Sequence, residues 1–178
     1  MLSVLGEMAS QSDRGAALIG GEVVSTALLE AIFSASASPD TKQLTTGNGP
    51  ITTFHSRILI ARHFGLISDA IAAQINAIRD VRNHFAHSLE AHDFSEPWVK
   101  QKCEMLPLEE RANPEETRKR YQFACIRLAS LLLEVAISAP ARRSETTLSD
   151  LILASPELLT PNTSPILRMG KKSQNNAQ

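Results

Sequence analysis

The sequence predicts an all-α fold, a bundle of about five helices followed by a disordered C-terminal tail. Three observations point there. Hydrophobic residues make up 43% of the chain but aromatics only 4%, so the core must be built mostly from Ala, Leu and Ile, a balance that favours helices packed through small and straight side chains over a sheet of Val, Thr and Tyr. Apolar positions recur every three or four residues in each long segment, and no segment alternates as a strand does. Pro, Gly and Asn gather between those segments, where turns belong. With 178 residues the chain can bury one sizeable core without disulfide or metal support.

The first helix is expected to begin near Ser10 or Ser12, either of which can cap, with Asp13 favourable in the first turn. Ala17, Val24, Leu28 and Ala31 follow helical spacing, and Ile19, Val23 and Ala27 widen the stripe until only Glu22, Ser25, Thr26 and Glu30 stay polar. A helix this apolar sits centrally. Gly20 and Gly21 cost roughly 1 kcal/mol each against Ala, which close approach of neighbouring helices would offset. Residues 38–50 read as a loop, and a second helix follows from about Ile51 to His63, closed by Gly65. Ser68 and Asp69 open a third helix that ends in VRNHFAHS, residues 81–88. Residues 95–106 give a shorter helix through Val99, Cys103 and Leu106. Asn113, Pro114 and Glu116 make a start signal for a fifth, running to about Ser138 through Tyr121, Ala124, Leu128, Leu131 and Val135. That stripe, widened by Cys125, Leu132 and Ala136, exceeds what one neighbour needs and suggests a homo-oligomer, with a two-fold dimer favoured. Residues 1–138 thus form the helical domain. Residues 139–178, with four prolines and many Ser and Thr residues, form the tail, too polar to offset the entropy of ordering.

Charge limits the partners. The formal net charge is −1; setting aside five basic and three acidic residues of the tail leaves 13 basic and 16 acidic residues in positions 1–138. Wrapping nucleic acid calls for a concentrated positive surface, and the helix after Gly65 exposes Gln74, Asn76 and Asp80 rather than a basic cluster. Direct DNA binding is therefore not expected. No leader pattern opens the chain and no apolar run reaches membrane-spanning length. The expectation is a cytoplasmic protein with reduced, buried thiols at Cys103 and Cys125, and no membrane partner.

One residue breaks the pattern. On a helical wheel with Ile71 at zero, Ile75 falls at about 40°, Ile78 at about −20° and Phe85 at about −40°, while Arg82 lands at about 20°. A guanidinium cannot shed its charge, so Arg82 either meets an internal acid or lies in a cleft or subunit seam. The internal ion pair is the favoured reading, because structural pairs outnumber functional ones. Asn83 and His87 lie on the opposite side, one turn apart, where they can hydrogen-bond to each other. Arg82 and His87 diverge by about 140°, so one regular helix cannot aim both at a substrate. All five histidines fall between His55 and His92. Their spacings match no metal signature, with His84 and His87 near Asp93 the only nucleus, so no metal and no cofactor are expected. TGNGP, residues 46–50, follows no strand and lacks the lysine of a phosphate loop. Neither cysteine carries a nucleophile signature.

RNHFAH, residues 82–87, resembles the R-x4-H element of the HEPN superfamily of small all-α, often dimeric proteins, some of them metal-independent ribonucleases. That resemblance implies Arg82 on a phosphate, Asn83 at the polar position and His87 in acid–base work, with RNA as substrate or ligand. SDRGAALI (12–19), FHSRILIARHFGLIS (54–68) and IRDVRNHFAH (78–87) together resemble the mannitol operon repressor family, with Arg57 where that family usually has Lys and Val81 where it often has Ile. This second resemblance covers most of the helical region. It implies a non-enzymatic transcriptional regulator acting through a protein partner rather than through its own DNA-binding domain. It also suggests a network of Asp13, Arg14, Arg57, Arg79 and Arg82, in which Asp13, Glu22 and Glu30 of the first helix are candidate partners for Arg82, Arg79 or Arg57, with Asp13 the first candidate for Arg82. The HEPN-like ribonuclease using Arg82, Asn83 and His87 is the alternative.

Overall fold

The computed structural model describes residues 2–36, 41–87, 92–107 and 116–138. Among them are seven α-helices and no strand, so the all-α expectation holds. The helices are α1 (Leu2–Ser10), α2 (Asp13–Ser34), α3 (Lys42–Thr45), α4 (Phe54–His63), α5 (Asp69–His87), α6 (Pro97–Glu104) and α7 (Thr117–Ser138). The five expected helices correspond to α2, α4, α5, α6 and α7. α1, and the single turn of α3 inside a stretch with loop composition, stand beyond the five helices expected from the sequence. Asn113 and Pro114, offered as the start of the last helix, and the tail from Ala139 lie outside the described residues.

Local chemistry sets the ends. Ser12 caps α2, its hydroxyl accepting from the Gly15 backbone N–H at 3.2 Å. Thr53 and Ser56 form a reciprocal capping box at the head of α4, which satisfies two N–H groups that a helix start leaves bare. Gly65, at φ +68°, turns the chain after α4 through a conformation that costs glycine little.

α2 is the axle. It packs against α7 along most of its length and also meets α1, α4 and α5. Its buried residues include Ala17, Val24, Leu28 and Ala31 from the expected stripe, together with Gly20 and Gly21. The glycine pair works as close-approach positions on two different sides. A Cβ on Gly20 would lie 2.9 Å from atoms of Met8, Tyr121 and Cys125, whereas one on Gly21 would lie 2.6 Å from Cγ of Arg82. Next to Gly20, the buried Tyr121 hydroxyl donates to the Ala17 carbonyl at 2.8 Å.

Contrary to the expectation from the sequence, α2 and α7 are each long and apolar enough to cross a membrane by length and composition. In the bundle they bury much of that apolar surface against each other and the remaining core. The wide stripe on α7 is likewise largely consumed within the chain: Tyr121, Ala124, Cys125, Leu128 and Leu132 are all buried. What stays outside is its far end, Leu131, Leu133 and Ile137, the last 86% exposed.

Candidate functional site

Three helices converge on an open cleft of about 640 Å³. α2 contributes Glu22 and Ser25, the turn before α4 contributes Thr52 and Thr53, α4 contributes His55 and Arg57, and α5 contributes Arg79, Arg82 and Asn83. Three guanidiniums thus line one concavity.

Arg57 is fixed by uncharged groups. Its Nε donates to the Ile51 carbonyl at 3.2 Å, and its Nη1 donates to the Ser25 hydroxyl at 2.8 Å and the Ser25 carbonyl at 3.3 Å. Arg79 reaches across to His55, with Nη1 and Nδ1 2.6 Å apart, and its Nη2 donates to Asp80 at 2.9 Å. Its Nε is buried and has no acceptor among the described residues. Asp80 is shared with Lys102 at 2.8 Å. Desolvation would raise its carboxyl, but the hydrogen bonds and charge of Lys102 and Arg79 outweigh that and hold it below the ordinary value.

Arg82 is half-buried, and its stem lies against Gly21, close enough that any side chain there would collide with it. The head reaches the cleft, where Nη1 donates to Oδ1 of Asn83 at 3.1 Å. This answers the anomaly of the wheel. The aliphatic carbons occupy the apolar stripe and the charge leaves it, as long basic side chains do.

The expected pairing of Arg82 with Asp13 is corrected. Asp13 accepts from Arg118 Nη1 at 2.7 Å and from the Phe94 backbone N–H at 3.1 Å. Asp13 heads α2 and Gly21 lies eight residues on, about 12 Å along the axis at 1.5 Å per residue, beyond the reach of a side chain packed on Gly21. Arg118 also donates to the carbonyls of Met8 at 3.0 Å and Gln11 at 2.5 Å, so it joins α1, α2 and α7. The proposed network is therefore divided: Asp13 belongs to Arg118, Arg57 and Arg82 bind uncharged groups, and Arg79 bonds to Asp80. Arg14 is exposed at the head of α2. Among the described residues neither Arg57 nor Arg82 has a carboxylate partner.

The alternative trio divides as well. Arg82 and Asn83 line the cleft, and Asn83 bonds to Arg82 rather than to His87. His87 is the exposed last residue of α5 and does not line the cleft. Among the described residues the histidine that does is His55, for which no role was expected from the sequence.

A second cluster joins α5 to α6. Glu96 Oε2 lies 2.9 Å from His84 Nε2, and its Oε1 lies 2.5 Å from His92 Nδ1. Trp98 stacks on His84 with ring centroids 4.7 Å apart. Desolvation would raise the Glu96 carboxyl, but the hydrogen bonds from His84 and His92 prevail and hold it low. These three residues bring one potential metal-ligand atom each within 4.8 Å of the others, whereas the nucleus expected from spacing, His84 with His87 and Asp93, does not form. Glu96 also accepts from the Asp93 backbone N–H at 3.2 Å, so hydrogen bonding alone accounts for its position. The thiols are inert: burial pushes Cys103 up to about 12 and Cys125 higher still, far from the reactive thiolate range.

No protein-family model, curated protein or solved structure matches this chain.

Proposed function

We propose that this protein is a non-enzymatic regulator of the mannitol-repressor type, working in the cytoplasm through protein contacts and without a DNA-reading element of its own. The observation that supports contact-based action is the end of α7. Leu133 lines a groove of about 280 Å³ with Val23, Ala27 and Ala129, flanked by Glu22, Thr26 and Glu30, and exposed Ile137 lies one turn further along α7. An apolar surface rimmed by polar groups in this way is usually an interface. A second copy of the chain is its occupant in this reading, because closed two-fold dimers are the commonest assembly.

Light scattering at micromolar concentration is expected to give more than one chain per particle. Leu133→Asp with Ile137→Asp should reduce it to one without loss of helicity, since both residues are exposed. A wild-type monomer would refute the dimer.

A second reading, an RNA-binding or RNA-cleaving HEPN-like protein, draws support from Arg82 and Asn83 lying together in an open cleft. The position of His87 outside that cleft weighs against cleavage.

A further inference from the structure

The geometry points to the cleft between α2, α4 and α5 as a binding site for the phosphate of a small phosphate monoester. This goes beyond the regulatory reading and depends neither on the dimer nor on a protein partner.

Charge comes first. Among the described residues, Arg57, Arg79 and Arg82 line the cleft against a single acid, Glu22, whose carboxylate accepts from Thr26 at 3.4 Å. The Asp80 charge beside Arg79 is matched by Lys102. The cleft is left with a surplus of about two positive charges, which suits a dianion by simple charge complementarity.

Donors come second. Guanidiniums present forked N–H pairs that fit phosphate oxygens. Arg57 and Arg82 spend theirs on neutral groups, and Arg79 retains a buried Nε without an acceptor among the described residues. That Nε has no open surface, so an anion in the cleft would act on the Arg79 charge through space rather than by accepting from this N–H. The first turn of α4, headed by Thr53, opens onto the same cleft, adding the positive end of a helix dipole. Size comes third. About 640 Å³ exceeds what bare phosphate needs and falls in the range of small-molecule pockets, ~300–1,000 Å³. Glu22 on the rim would accept hydroxyl groups of the organic part, and it would repel a phosphate that strayed to its side.

Titration calorimetry of the full chain with inorganic phosphate, at ionic strength held constant with sodium chloride, tests this. One saturable site is expected. Arg82→Met keeps an aliphatic stem on Gly21 but removes the guanidinium, and should weaken phosphate about tenfold or more, as expected for a charge-assisted pair. Glu22→Gln should bind phosphate more tightly than wild type. Thermal melts report whether each variant folds; should Arg82→Met not fold, the exposed Glu22→Gln decides alone. Absence of saturable binding by wild type, equal affinity in Arg82→Met, or unchanged affinity in Glu22→Gln would each overturn the proposal. A single-stranded RNA that binds while inorganic phosphate fails to compete would also overturn it, assigning the cleft to a polymer.

Discussion

Arg82 stands in line with Ile71, Ile75 and Ile78 because its two ends meet different surroundings, and Gly21 is what permits it. The glycine removes the one side chain that would occupy the volume of the arginine stem. Gly21→Ala should therefore destabilise the fold by about 1–3 kcal/mol through overpacking, although alanine is the better helix former by about 1 kcal/mol. Chemical denaturation measures the difference. In an Arg82→Gly background, which removes both the Cγ at 2.6 Å and the Cβ at 2.8 Å, the penalty for Gly21→Ala should shrink; an unchanged penalty would show that Arg82 is not what Gly21 accommodates. The same kind of reasoning applies to Gly20, which faces Met8, Tyr121 and Cys125.

At the level of elements, α4 matters most, because its first turn carries His55 and Arg57 into the cleft. It is a ten-residue helix, too short to be stable by itself, so its cap and its packing on α2 must hold it. Thr53→Ala removes the cap side chain and half of the capping box, and should cost about 0.5–2 kcal/mol. Amide exchange in α4 should rise more than in α2; a uniform change across both would show that α4 has no independent opening. α7 performs two tasks along its length. Its first four turns complete the core against α2, and its last turns carry the exposed Leu133 and Ile137.

For the whole molecule, the distribution of His87 and Arg82 bears on chemistry. Acid–base assistance is worth about 10²–10⁴ in rate only when the group reaches the reacting atoms. In one chain Arg82 faces the cleft while His87 faces solvent on the end of α5. Purified protein without added metal is therefore expected to leave RNA intact, and His87→Ala to behave identically. Cleavage by wild type that falls about a hundredfold in His87→Ala, within that same range, would instead require a second chain to complete the site and would promote the ribonuclease reading. Arg118 illustrates how the bundle is tied: its partner Asp13 is 105 positions away, and no local pattern links the two.

The sequence by itself determined the helices and their order, because apolar spacing, Ser12, Gly65 and the scarcity of β-branched alternation act within a few residues. It also singled out Arg82 as anomalous and Gly20 with Gly21 as close-contact positions, since both stand out against a regular wheel. α3 escaped it because a single turn of four residues shows no period, and α1 because Gly6 interrupts its nine residues. Only the tertiary structure decided who meets whom. Asp13 took Arg118 instead of Arg82, Asn83 took Arg82 instead of His87, and Glu96 gathered His84 and His92. His55 became a cleft residue for the same reason. Side-chain partners depend on where helix axes cross and how far along each axis a residue sits, and those distances are set by packing of the whole core rather than by neighbours in the chain.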